Sequence, residues 1–146
     1  MDVYAATGST ASQRLCLAVA LDRDWIVVPA DVSTAFLHAS LDTEMYVWPP
    51  DGMAAEGVVW RLRKALYGLR RAPQLFQRHL QGVLKELGFK QLKCDSTVFY
   101  HEEMEVLIDS HVDDMKVAGK EAQVDKIFEM LSEHLTIKRE AEFGKD

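Results

Sequence analysis

A chain of 146 residues has room for one domain with a real core and too little for two. Its composition, 48% hydrophobic and 27% charged, excludes a disordered chain, and the lack of any apolar run near ~20 residues excludes a membrane-spanning helix. The net charge of −6 speaks against a nucleic-acid partner until its distribution is considered: residues 60–80 hold six cations and no acid, leaving eleven cations against 23 acids elsewhere.

In chain order, the N-terminal MDVYAATGST lacks a basic segment followed by an apolar one, so a chain that is not secreted is expected. Residues 9–23 predict a helix, with Ser9, Thr10 and Ser12 as candidate caps and Leu15, Val19 and their neighbours as a broad apolar face. Trp25–Ala30 then predicts a short buried strand delivering Asp31 at its end. TAFLHAS has the makings of one or two helical turns, and MYVWPP at 45–50 of a strand stopped by Pro49, Pro50 and Gly52.

Val58–Leu62 predicts another strand, followed by the basic turn ALYGLRRAP at 65–73. Pro73 suits the first turn of a helix over 73–87, where Phe76, Leu80, Val83, Leu84 and Leu87 recur at helical spacing before Gly88. Short strands are expected at 89–93, 97–101 and 104–110. EVLIDSHVDDMKVAG at 105–119 predicts a hairpin with Asp113 and Asp114 at or near its turn. A last helix over 120–135 places Val124, Ile127, Phe128, Leu131 and Leu135 on one face, and the charged tail IKREAEFGKD ends without a stop signal of its own. The order implies an α+β fold: one largely antiparallel sheet with helices packed on one face.

Several residues carry chemistry or its bland alternative. A solvated turn would hold Asp113 and Asp114 equally well. Asp31, at another strand end, supplies the third carboxylate that a pair of divalent cations needs for phosphoryl transfer. The basic segment Arg61, Arg63, Lys64, Arg70, Arg71 and Arg78 suits phosphates or, equally, a solvated helix end. Trp48 and Trp60 are expected to close a core, with base stacking as the alternative. Cys16 and Cys94, without a CxxC, predict buried reduced thiols, and the five histidines show no zinc spacing.

DVSTAFL (31–37), EMYVWPPDG (44–52), LRKALYGLRRAP (62–73), ELGF (86–89), CDSTVFY (94–100) and HVDDMKVAG (111–119) occur in the order and spacing of one family. Together they resemble the reverse transcriptase of copia-type LTR retrotransposons, the polymerase region of a Pol polyprotein, over nearly the whole chain. The resemblance implies a polymerase palm with part of the fingers and no thumb, one partial domain over residues 1–146. It implies RNA-directed DNA synthesis, with Asp31, Asp113 and Asp114 as catalytic ligands of two Mg²⁺ (or Mn²⁺) ions, Asp31 and Asp113 the most direct. Val32, Ser33, Thr34, Ala35, Phe36 and Gly68 would meet the nucleotide, Phe36 as the ring beneath a deoxyribose and otherwise a core residue. Arg70 and Arg71 would contact phosphate, or else be surface charges at a helix entry.

The implied partners are an RNA or DNA template-primer, deoxynucleoside triphosphates, and the integrase, thumb and ribonuclease H regions of a parent polyprotein. The implied location is an element particle in the cytoplasm with a later nuclear stage. The chain departs from the family at His111, where tyrosine is usual, at Asp109 and Ser110 in an otherwise apolar strand, and at Arg70-Arg71, where Lys-Gln is usual. With the basic fingers strand and primer grip also lacking, the expectation is a fragment inactive alone. A different class, a decayed or repurposed remnant that binds nucleic acid without catalysis, is the alternative; an unrelated α+β domain with a calcium- or magnesium-binding turn is the third reading.

Overall fold

Helix α1 (Thr10–Asp22) begins where the Ser9 hydroxyl oxygen accepts the Ser12 N–H at 3.0 Å, so the capping signal in the sequence is used. This computed structural model describes residues 8–144; residues 1–7, on which much of the expectation about secretion rests, lie outside them. Asp95 anchors the same helix start from a distant loop. Its carboxylate accepts the Ser9 N–H at 3.1 Å and the Thr97 N–H and hydroxyl at 3.0 and 2.7 Å. Burial pushes this carboxyl up, yet hydrogen bonds from Ser12, Thr97 and Ser9 outweigh it and hold the group well below the usual carboxylate range.

The remaining elements are β1 (Ile26–Val32), α2 (Ala35–His38), β2 (Ser40–Val47), β3 (Trp60–Lys64), α3 (Ala72–Glu86), β4 (Lys90–Gln91), β5 (Val98–His101), β6 (Val106–His111), β7 (Asp114–Gly119), α4 (Glu121–Ser132) and β8 (Ile137–Arg139). Six strands form one sheet in the order β4-β5-β6-β7-β1-β8, and β2 pairs with β3 in a separate ribbon. Each neighbouring pair is antiparallel. The α+β architecture with a largely antiparallel sheet is therefore present.

Strand alternation decides what each face meets. Val28, Ala30 and Val32 of β1, Ile108 of β6, and Met115 and Val117 of β7 turn to one side, where Phe76, Leu80 and Leu84 of α3 and Val124, Ile127 and Leu131 of α4 bury them. Each such side chain contributes about 1.5–3 kcal/mol when fully buried. Val27, Val98, Leu107 and Ala118 turn to the other side, against Cys16, Val19 and Ala20 of α1. The expectation of helices on one face thus holds for α3 and α4, while α1 covers part of the opposite face. It does so with small residues, leaving Leu15 and Leu21 exposed.

Three local expectations are corrected, and one element is added. β1 is not buried throughout but alternates half-buried with buried, because both its faces differ in cover. Trp48 and Trp60 do not close a core: they are 74% and 41% exposed on the ribbon. Cys94 is exposed and Cys16 half-buried, both as free thiols. The tail, which carried no signal, forms β8 and pairs with β1 at Ala30↔Arg139, Asp31↔Lys138 and Val32↔Ile137. Beyond Ala30 the ladder loses its regular form, since Pro29 has no N–H to give. There the tail only donates, from Glu140 N to the Pro29 carbonyl and from Phe143 N to that of Val27.

Candidate active site

The β6–β7 connection is a two-residue turn, Val112-Asp113. Val112 has φ +55°, a conformation this hairpin turn ordinarily gives to glycine and that costs a β-branched residue strain. Asp113 therefore occupies the turn and Asp114 opens β7. The β1–β7 register makes Asp31 and Asp114 direct partners, on the sheet face that α1 partly covers. Asp113 comes to the same place through its backbone: its carbonyl accepts the Val32 N–H at 2.9 Å. Asp31 and Asp113 are half-buried, and Asp114 is exposed. Strand alternation does not turn Asp114 away from Asp113, because it acts within a strand and Asp113 lies in the turn.

The three carboxylates are gathered by backbone geometry, not by side-chain placement. Among the described residues no three His, Cys, Asp or Glu side chains converge closely enough to hold a metal ion. Rotation about the side-chain bonds of Asp31, Asp113 and Asp114 would be needed to close on one. The donor set itself, three carboxylates with open water on the Asp114 side, fits a hard divalent cation.

Sequence reasoning missed Lys138, because β8 carried no signal. Its register position faces Asp31 from the side opposite Asp114, so Asp31 lies between a cation and an anion on neighbouring strands. His38 was missed for a similar reason, its partners being distant in sequence. Its Nε2 accepts the Thr136 N–H at 3.4 Å and lies 3.3 Å from the Ser33 carbonyl, while Ser33 N–H donates to the Thr136 carbonyl at 2.8 Å.

The segment after Asp31 divides the expected nucleotide-binding set. The N–H groups of Val32 and Ser33 are committed to Asp113 and Thr136. Those of Thr34, Ala35 and Phe36, at the open start of α2, have no backbone acceptor outside it among the described residues. Thr34 takes φ +53°, a second strained position within reach of the carboxylates. Phe36 is half-buried, its ring 4.5 Å from that of Tyr67 and 6.4 Å from that of Phe76 between centroids. Gly68 needs its left-handed φ of +97°, and nothing stands within 4 Å of where a side chain would begin.

The two arginines part company as well. Arg71 grips Asp42 with two hydrogen bonds, 3.0 and 2.7 Å, and Arg78 reaches the same carboxylate at 3.8 Å. Arg61 pairs with Glu44 at 2.8 Å, and Lys64 donates to the His38 carbonyl and the Ser40 hydroxyl. Arg70 is exposed and makes no ion pair among the described residues. Arg71 and Arg78 thus tie the ribbon to α3, while Arg61 and Lys64 act within the ribbon and on α2.

Beside the carboxylates lies a cavity of about 150 Å³ lined by Asp109, His111, Asp114, Lys116 and Glu140, among others. Asp109 is 4% exposed and sits opposite Lys116, whose Nζ is 3.9 Å from Oδ2. Among the described residues its Oδ1 and the Nδ1 of His111 are buried without a hydrogen-bond partner. Burial pushes the Asp109 carboxyl up, with Lys116 and His111 pulling the other way and Asp95 adding to the rise.

Over residues 1–145 the sequence matches the family of reverse transcriptases (RNA-dependent DNA polymerases). It is 33% identical over 145 residues to a retrovirus-related Pol polyprotein from transposon RE2 of Arabidopsis thaliana, covering 92% of this chain and 10% of that protein. A second Arabidopsis polyprotein, from transposon RE1, is 31% identical over the same shares. A putative transposon Ty5-1 protein of Saccharomyces cerevisiae is 33% identical over 111 residues, 73% of this chain and 35% of that protein. The chain spans about a tenth of the length of the two Arabidopsis relatives.

Proposed function

Because the chain belongs to the reverse transcriptase (RNA-dependent DNA polymerase) family of copia-type Pol polyproteins, we propose that it supplies the palm and part of the fingers of a retrotransposon polymerase. Its reaction is the addition of deoxynucleotides to a primer on an RNA or DNA template. The observation that carries this reading is the opposition of Asp31 and Asp114 with Asp113 beside them. Like charges directly opposite one another destabilise a sheet, so this arrangement gains most from a shared cation. Asp31, Asp113 and Asp114 would hold two Mg²⁺ or Mn²⁺ ions, which when bound acidify the primer hydroxyl and neutralise charge on the leaving pyrophosphate.

The chain's own residues then bind and orient. Val32 and Ser33 fix the loop after Asp31 to the turn and to β8, and the N–H groups of Thr34, Ala35 and Phe36 remain to donate to triphosphate oxygens. Phe36, braced by Tyr67 and Phe76, offers the sugar a rigid ring with no space for a 2′-hydroxyl. Gly68 permits close approach of a strand, Arg70, in no ion pair among the described residues, offers a cation to its phosphate, and Arg71 holds that turn in place through Asp42. Thumb, ribonuclease H and integrase regions are the remaining partners, in a particle that forms in the cytoplasm.

Manganese binding to the chain, followed by electron paramagnetic resonance, is expected to be lost in Asp31→Asn and Asp113→Asn with the circular dichroism unchanged. Primer extension by a Pol polypeptide carrying the chain is expected to fall to background in Asp113→Asn. Binding and extension that survive both substitutions refute the assignment. A second reading, a nucleic-acid-binding remnant without catalysis, is favoured by Asp109, a buried carboxylate with an unpartnered oxygen in the strand leading to the pair. It requires salt-dependent nucleic-acid binding with no extension by any longer form.

A further inference from the structure

Thr136, the residue before β8, gives both of its backbone groups to the segment that follows Asp31. Its carbonyl accepts the Ser33 N–H at 2.8 Å, and its N–H donates to the Nε2 of His38 at 3.4 Å. The same Nε2 lies 3.3 Å from the Ser33 carbonyl, to which it could only donate. One ring nitrogen cannot do both. That carbonyl already accepts the Thr34 hydroxyl at 2.7 Å, whereas the Thr136 N–H has no other acceptor among the described residues. The network therefore assigns the ring proton to Nδ1 and leaves Nε2 to face Thr136.

Other elements hold the same side chain from behind. His38 ends α2, and the Lys64 ammonium of β3 donates to its carbonyl at 3.1 Å. Its ring lies 9° from the plane of the His79 ring on α3, with centroids 6.3 Å apart. Burial first, then His38 and Lys64, push the His79 pKa down, so His79 packs there uncharged at neutral pH. Between Ser33 and His38 stands Thr34, left-handed at φ +53°, a conformation that persists only where its surroundings fix it. The open N–H groups of Thr34, Ala35 and Phe36 lie in that same span. We propose that His38 is a positioning residue for the nucleotide: by accepting the Thr136 N–H it clamps the span from Ser33 to α2 onto the start of β8, and so presets those N–H groups for triphosphate oxygens. The inference rests on the polymerase reading above. His38 itself touches neither nucleotide nor metal, so its loss weakens nucleotide binding and spares the chemical step.

Two measurements test the clamp, one without any polymerase activity. In the whole chain, NMR of the imidazole nitrogens reads the His38 tautomer, and hydrogen exchange reads the protection of the Thr136 amide. The proton is expected on Nδ1. Thr136 exchange should quicken by about 3- to 10-fold in His38→Leu and slow again in His38→Gln, whose amide oxygen reaches the same N–H. In a Pol polypeptide carrying the chain, His38→Leu should raise the KM for deoxynucleoside triphosphate by about 3- to 10-fold with kcat kept, and His38→Gln should restore most of the affinity. A proton on Nε2 in the unaltered chain overturns the inference, and that result needs no variant to fold. So does a His38→Leu variant that loses thermal stability while its KM stays at the wild-type value, or one that loses kcat alone. Asp113→Asn tests the underlying reading separately. Extension abolished there but indifferent to His38→Leu refutes the inference alone, whereas extension that survives Asp113→Asn refutes the reading and the inference with it.

Discussion

Replacing Asp109 by asparagine is expected to stabilise the protein at neutral pH. The carboxylate is 4% exposed, one oxygen has no partner, and the other is 3.9 Å from an ammonium that is itself a third exposed. Leaving a buried polar atom unsatisfied costs about 1–3 kcal/mol, and so loose and wet a pair returns about 0–1 kcal/mol. Asparagine keeps the shape and drops the charge, for a net gain of about 1 kcal/mol, or about 2–4 °C in Tm for a chain of this size. Burial, the largest influence, raises the folded-state pKa above the unfolded value of about 3.9. The charged form is therefore the disfavoured one. Wild-type stability is greatest below the unfolded pKa and declines as pH rises through the folded one, so the variant's advantage should vanish below about pH 4 and grow as pH rises above it. Urea denaturation across that range reads it directly. Lys116→Met should act in the opposite sense, destabilising by at most about 1 kcal/mol, because it removes the small return of that loose pair. An asparagine variant less stable than wild type at pH 7, or a difference that ignores pH, would show that Asp109 is ionised and well paired.

Ser9→Ala removes the α1 cap and should cost about 1 kcal/mol in thermal unfolding. Asp95→Asn should cost most stability above about pH 4, and the cost should shrink as pH falls below that toward the depressed folded-state pKa; equal loss at all pH values would sink that account. Val112→Gly should raise stability by about 0.5–1 kcal/mol, the relief of left-handed strain exceeding the entropy that glycine brings to the unfolded chain. A drop in Tm would mean that the Val112 side chain packs better than its half-buried position suggests.

The helices and the acidic hairpin were legible because their signals are local. Phe76, Leu80, Val83 and Leu84 repeat at helical spacing and are buried at that spacing, and two apolar runs around Asp113-Asp114 became β6 and β7. What could not be read depends on partners far away in sequence. β8 is an edge strand of Ile137, Lys138 and Arg139 with only Ile137 half-buried, so no alternation betrays it, and its register with β1 alone fixes it. α1 hides its orientation because its largest side chains stay exposed while Cys16, Val19 and Ala20 meet the sheet. Trp48 and Trp60 were misplaced by residue type: a tryptophan usually finds a core, and a two-stranded ribbon has none to offer. Asp42, which holds Arg71 and Arg78, belongs to the same class of residue, since no spacing rule connects positions 42, 71 and 78.

Broken local rules occur elsewhere too, with left-handed Asp24 and Glu105 ahead of β1 and β6 and buried unpartnered atoms on Gln74 and His79 of α3, yet a group of them gathers near the carboxylates. Val112 and Thr34 take left-handed conformations without being glycine, Asp31 and Asp114 oppose like charges, Asp109 buries a carboxylate with one oxygen unpaired, and Pro29 interrupts a strand. All lie on β1, β6 and β7 or in the segments that end them. A solvated turn explains none of this, for it would be cheaper as Asn-Gly and would need no acid opposite it on β1. Sequences tend to abandon local consistency where a site demands it and to hold the strained part with a well-packed remainder. Here the remainder is the continuous core under α3 and α4, which fixes β1 against β7 and so fixes where Asp31 meets Asp114. Opposed like charges, a strained hairpin turn and a buried carboxylate at this end of the strands add to the case that the carboxylates make for a ligand there.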